Sequence, residues 1–249
     1  AFGSLWVQLE GLLGPRGILP ASRYLAAVRE KLGADAFSAL PTLCWWFGSE
    51  TFLHVLCGAG VALALLLFAG VMPALCLALL WVVYLSVCCA GQVFFNFQWD
   101  ALLLETTLLA IFVAPWSLLP PRGRLGAVSL SNGLWRAHEP PRAARWLLWW
   151  LLFRLMFLSG LVKLTSGDLT WRGLTALTFH YETQPLPTTL GWYMHQLPAW
   201  WHRASCAGMF VIELVAPFLL FAPRALRHNA ALLTLALMVI IALTGNYTF

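Results

Sequence analysis

Long apolar runs separated by short polar segments dominate the chain. Six of these runs have the roughly 17–25 residues that a helix needs to cross the hydrocarbon core of a bilayer. They cover residues 52–71, 73–93, 99–119, 146–164, 204–222 and 229–245. Residues 1–9 have the pattern of the end of a further span that is cut off at the start of the chain. The pattern therefore predicts a single all-α domain over residues 1–249, a multi-pass transmembrane helical bundle of about six complete spans plus a truncated first one.

The composition supports a membrane protein rather than a soluble one. Of the 249 residues, 61% are hydrophobic and only 10% are charged. Soluble domains carry about 25% charged residues, and a soluble chain of this length could not hide so much apolar surface from water. Membrane lipids are thus the predicted surroundings, and we interpret the net charge of +5 as a signal of orientation rather than of nucleic-acid binding.

Basic residues are concentrated in two of the predicted loops. Residues 120–145 hold five arginines and one acid, and residues 223–228 hold two arginines and no acid. Because short cytosolic loops are enriched in Lys and Arg, both loops are predicted to be cytosolic. Six spans then place the loops at residues 10–51 and 165–203 on the opposite, lumenal side.

Five charged residues lie within the predicted spans. Asp100 and Lys163 are close to span ends, where their side chains are expected to reach the interface, whereas Glu105, Arg154 and Glu213 lie deeper. Charges at this depth are costly and need a partner or a function. The favoured interpretation is an ion pair of Arg154 with Glu105 or Glu213 that fixes helix register. A substrate or proton path is the alternative.

The predicted lumenal loop at residues 165–203 contains candidate ligands but no recognised site. His180, Glu182, His195 and His202 all lie in it, and the histidines are separated by 15 and 7 residues. These spacings do not match a helical zinc motif such as H-E-x-x-H. No nucleotide-binding loop or nucleophile motif occurs in the chain. The residues therefore predict no metal site, no catalytic residue and no cofactor.

One N-glycosylation sequon is present, at Asn246 in Asn-Tyr-Thr. The predicted topology places it on the lumenal side, where glycosylation occurs. It directly follows the last predicted span, which leaves little room for a glycosyltransferase. Asn246 is a candidate acceptor, and an unmodified side chain is the favoured interpretation.

Several short segments, in order along the chain, resemble motifs of the lipase maturation factor family. Their sequences are GPRGILP, FQWDALLLET, KLTSGD, HYETQPLP, FVIE and LTGNY. They lie at residues 14–20, 97–106, 163–168, 180–187, 210–213 and 243–247. Of the two vertebrate branches of the family, these motifs are more similar to the second. The fourth segment supplies a candidate lumenal motif of His180, Tyr181, Glu182, Gln184 and Pro185.

The resemblance implies a protein of the endoplasmic-reticulum membrane that helps secreted lipases to fold, without chemistry of its own. It implies client lipases as partners, contacted through a C-terminal lumenal domain that this sequence lacks, and contact with other folding machinery of that compartment. The family's membrane part is also distantly similar to that of the vitamin-K-dependent carboxylase. A membrane-embedded enzyme with a lumenal site that includes Lys163 and His180 is therefore one alternative, and a transporter is another.

Overall fold

The computed structural model describes residues 1–46, 50–116, 140–184, 186 and 188–245. Those residues form helices and connecting turns and contain no β-strand, which confirms the all-α prediction. The chain divides into two compact units, Ala1–Arg145 and Trp146–Phe249. Most of the predicted cytosolic loop at residues 120–145 lies outside the described residues, as do Pro185 and Asn246.

The first unit is built around two long neighbouring α-helices, the fourth and fifth in the chain. Its helices are α1 (Phe2–Leu12), α2 (Ala21–Leu32), α3 (Ala36–Ala39), α4 (Glu50–Phe68), α5 (Pro73–Ala90) and α6 (Gln98–Val113). Helix α4 packs against α1 and α5, and α5 packs against α6. Leu9 of α1, Cys57 of α4 and Val87 of α5 are almost completely buried where these helices meet. The predicted lumenal loop at residues 10–51 thus contains two helices of its own.

The second unit consists of three long helices and three short ones. They are α7 (Arg142–Thr165), α8 (Leu169–Arg172), α9 (Ala176–His180), α10 (Thr189–His195), α11 (Ala199–Leu214) and α12 (Arg224–Thr244). A 3-10 segment, Ala216–Phe221, extends α11 and packs against α12. Helices α8, α9 and α10 occupy the predicted lumenal loop, where α9 packs on α11 and α10 packs on α12.

Five segments of the described residues are long and apolar enough to cross a membrane. They are Glu50–Phe68, Pro73–Ala90, Arg142–Thr165, Ala199–Phe221 and Arg224–Thr244. The predicted span at residues 99–119 corresponds to α6, which has 16 residues and is therefore about 24 Å long. This helix ends early because Ala114 adopts an extended conformation before Pro115, as a residue preceding proline prefers to do. The multi-pass bundle is confirmed, with α6 shorter than its apolar run suggested.

Candidate functional site

A buried ion pair joins α7 to α11 in the second unit. The Lys163 ammonium donates to both carboxylate oxygens of Glu213, at 2.5 and 2.7 Å, and to the Ser159 hydroxyl at 3.1 Å. Only 21% of the Lys163 side chain and 3% of the Glu213 side chain are exposed. Ser159 and Lys163 are four residues apart and share one face of α7. All three hydrogens of the ammonium group therefore have acceptors.

A close approach of the two helices makes this pair feasible. A Cβ atom added to Gly160 of α7 would lie 2.8 Å from Cδ2 of Leu214 and 3.0 Å from Cβ of Glu213. A side chain at Gly160 would force Leu214 and Glu213 of α11 to shift, and Glu213 is the partner of Lys163. Small residues at such contacts are typical of helix packing in membranes, because they let two backbones come close together.

The lumenal motif lies next to this ion pair. The Trp171 ring of α8 lies 5.5 Å from the Lys163 ammonium, in cation–π geometry. Burial, and to a lesser extent the charge of Lys163, lower the pKa of His180. His180 is therefore neutral near pH 7, and its Nε2 accepts a hydrogen bond from the Gln184 amide at 2.9 Å. With Gln184 only 6% exposed, this part of the motif is packed into the unit.

The rest of the motif lies beside two further histidines, His195 and His202. Tyr181, 7% exposed, lies with its ring 5.9 Å from that of His202. The His202 ring lies 6.5 Å from that of His195. Nε2 of His195 is 2.8 Å from a carboxylate oxygen of Glu182, which is largely exposed. The fold thus groups these four side chains, although the sequence separates them by up to 21 positions.

Helix α10 is attached to the end of α12 by a threonine cap. The Thr188 hydroxyl donates to the Leu243 carbonyl oxygen at 3.0 Å and accepts from the backbone N–H of Gly191 at 2.9 Å. A Cβ atom at Gly191 would lie 2.6 Å from the Thr244 carbonyl oxygen. This contact fixes the predicted lumenal loop on the second unit, and the cap formed by Thr188 was not among the residues predicted from the sequence.

The charged residues of the predicted spans differ from expectation in their burial and in their partners. Asp100 and Lys163 were expected to reach the interface, but both are largely buried. Asp100 is 5% exposed and accepts a hydrogen bond from the Tyr84 hydroxyl at 2.6 Å, because the first turn of α6 packs against α5. The structure pairs Glu213 with Lys163 instead of Arg154. A pairing of Arg154 with Glu105 stays a prediction.

A second group of titratable side chains lies in the first unit. Glu10, Glu50 and His54 can place one ligand atom each within 4.8 Å of one another. However, the Trp6 indole donates to Nδ1 of His54 at 3.0 Å. That bond occupies the Nδ1 lone pair, so neutral His54 carries its hydrogen on Nε2, the nitrogen that lies 4.0 Å from Glu10. Neither nitrogen of His54 then offers a free lone pair to a metal ion.

Comparison with known proteins gives a match over the whole chain. The sequence profile of the lipase maturation factor transmembrane domain matches residues 1–249. The chain is 47% identical to lipase maturation factor 2 of Homo sapiens and 45% identical to that of Gallus gallus. It is 34% identical to lipase maturation factor 1 of Bos taurus, so the predicted closeness to the second branch holds for these relatives.

Each of these alignments covers 100% of the chain but only part of the relative: 36% of the human, 34% of the chicken and 44% of the bovine protein. The chain therefore spans about a third of the length of the factor 2 relatives. No solved structure shows a significant match. The relatives are named as maturation factors and not as enzymes, which agrees with the interpretation of the chain as a non-enzyme.

Proposed function

Because the chain belongs to the lipase maturation factor family, we propose that it is the membrane part of an endoplasmic-reticulum protein that helps secreted lipases to fold. The main support for this proposal is the buried ion pair of Lys163 in α7 and Glu213 in α11, in which every hydrogen of the ammonium has an acceptor. Lys163 has three acceptors and Glu213 is almost fully buried. Such a pair holds two helices in register, which suits an anchor.

The same observation argues for assistance without covalent chemistry. A catalytic base or a transport site needs a group that can exchange a proton or bind a solute. The Lys163 ammonium is fully engaged within the unit, and His180 is neutral and bonded to Gln184. The enzyme alternative depends on Lys163 and His180 acting together; the charge of Lys163 contributes to the lowered pKa of His180, and a maturation assay of His180 variants tests this alternative.

We further propose that the loop at residues 165–203 faces the lumen and that the segment at residues 223–228, which forms the start of α12, faces the cytosol. Gln196 and Ala225 are exposed at these two places, and both lie in the second unit. Cysteines introduced as Gln196→Cys and Ala225→Cys should react with a membrane-impermeant thiol reagent from opposite sides of sealed microsomes. The parent chain is the control, since its described cysteines are buried or half-buried. Labelling of both positions from one side would contradict the topology.

We propose that client lipases bind on the lumenal side of the full-length protein, where secreted lipases fold. Other folding factors of that compartment are expected to lie nearby. Membrane lipids surround the long helices, which expose many large apolar side chains, among them Leu65, Phe68 and Val162. The contact with client lipases is placed in the part of the full-length relatives that the chain does not cover. The role of the chain itself is to anchor and orient that part.

A maturation assay separates this proposal from the enzyme alternative. His180→Gln, made in a full-length family member that carries this membrane part, removes the titratable ring but keeps hydrogen-bonding capacity. In cells that lack the endogenous factor, we expect this variant to support secretion of active lipase at close to the parent level. Complete loss of lipase activity at normal abundance of the variant would instead assign His180 to catalysis.

A further inference from the structure

Two imidazole rings meet where α10 turns into α11. His195 is the last residue of α10, and His202 lies near the start of α11. Their ring centroids are 6.5 Å apart, and His202 is only 3% exposed. Pro198 precedes α11 as its N-cap residue and separates the two helices. The turn therefore brings the two histidine rings together, whereas in a continuous helix residues seven positions apart would lie about two turns from each other.

Each of these rings has a buried nitrogen without a hydrogen-bond partner among the described residues. Within the described residues, Nδ1 of His195 and Nδ1 of His202 are buried and make no hydrogen bond. Buried polar atoms in folded proteins are nearly always hydrogen-bonded, so each exception calls for an explanation. Because the two nitrogens without a hydrogen bond belong to neighbouring rings, one bound group could contact both of them.

The tautomer of His195 identifies the kind of partner. Its Nε2 lies 2.8 Å from a carboxylate oxygen of Glu182. An ionised carboxylate only accepts hydrogen bonds, so Nε2 carries a hydrogen, and in the neutral ring Nδ1 presents a bare lone pair. A carboxylate that holds a histidine in this way, with the opposite nitrogen free, is the usual arrangement around histidine ligands of metal ions.

We propose that His195 and His202 bind a divalent transition-metal ion, for which Zn²⁺ is the best-suited candidate, and that Glu182 orients His195. Imidazole nitrogen is a preferred ligand of zinc, at a distance of about 2.0–2.1 Å. Two imidazoles on one tetrahedral ion have ring centroids about 5 Å apart. The two rings, now 6.5 Å apart, therefore need to approach each other by about 1–2 Å when the ion binds.

The bound ion would connect α10 to α11, and α10 already contacts α12 through Thr188. Its remaining positions would be filled by water or by a lumenal ligand, since these two rings supply only two of four ligands. This inference goes beyond the proposed function, because it holds whether or not the chain assists lipases. It also differs from the group at His54, where a hydrogen bond from Trp6 uses the lone pair.

Zinc binding by the purified full chain in detergent tests the proposal. Protein stripped with a chelator and desalted is titrated with Zn²⁺ alone, and bound metal is measured by mass spectrometry. We expect one ion per chain and a zinc-dependent rise in the midpoint of thermal unfolding. Replacing zinc by Co²⁺ should give the visible absorption of a tetrahedral site.

Variants assign the ion to its ligands. His195→Gln and the double variant with His202→Gln should abolish stoichiometric binding, and Glu182→Gln should weaken it about 10–100-fold. His54→Gln and His228→Gln are the controls and should bind like the parent. Thermal unfolding of the metal-free variants shows that they fold. Absence of stoichiometric zinc on the parent, or loss of zinc in His54→Gln with retention in His195→Gln, would overturn the proposal.

Discussion

Lys163→Met is expected to lower the free energy of unfolding by about 3 kcal/mol, because it leaves the Glu213 carboxylate buried without its cation. In soluble proteins the loss of one partner of a buried pair costs about 3–5 kcal/mol, and membrane proteins lie at or below the lower end. Combining Lys163→Met with Glu213→Leu removes both charges and should bring the stability back close to that of the parent. Unfolding of the purified protein by a denaturing detergent measures each variant.

Lys31→Met is the matched control, since Lys31 is the other lysine of the chain and is exposed. It should leave stability within about 0.5 kcal/mol of the parent. If Lys163→Met were as stable as Lys31→Met, the ion pair would contribute nothing to the fold. The transport alternative for the intramembrane charges would then gain support.

Tyr181→Ala is expected to destabilise the second unit by about 3 kcal/mol, since large aromatic residues truncated in a core cost roughly 3–5 kcal/mol. Tyr181 is 7% exposed and its ring contacts those of His180 and His202. Tyr193→Ala is the control: Tyr193 lies in the same loop but is 60% exposed. Thermal unfolding in detergent should separate the two variants clearly. Equal, small shifts would mean that the lumenal motif is not packed into the unit.

The all-α fold class could be predicted from the sequence because the lipid bilayer restricts which backbone structures can cross it. Within the hydrocarbon core each backbone polar group needs an internal partner, so long apolar runs become helices. The end of α6 was also encoded, since Pro115 forces Ala114 out of the helical conformation. The apolar pattern alone did not reveal this end, because residues after Pro115 continue to be apolar.

The lateral contacts between helices could not be predicted in the same way. Hydropathy shows which residues enter the membrane but not which helices become neighbours. The bond between Tyr84 and Asp100 and the pairing of Glu213 with Lys163 both depend on that choice. Gly160 carried a usable signal, as a small residue within an apolar run marks a place of close approach.

The candidate lumenal site was found in part. The family motif placed His180, Tyr181 and Glu182 together, and the structure adds His195 and His202 from outside it. Their grouping depends on two short helices whose caps, Asp168 and Thr188, are polar residues followed by helix-compatible sequence. Reading these caps would have predicted α8 and α10, but not the direction in which α10 packs.

The ion pair between α7 and α11 also has a consequence for biogenesis. Its two residues are 50 positions apart, so Lys163 is synthesised about 3–10 s before Glu213. During that interval the ammonium of Lys163, in the last turn of α7, lacks its carboxylate, and an unpaired charge is costly wherever it enters the hydrocarbon core. We therefore expect Lys163 of the nascent α7 to stay at the headgroups until α11 supplies Glu213. Burial of this lysine then coincides with the packing of α11 on α7, so the last step of insertion is also a step of tertiary folding.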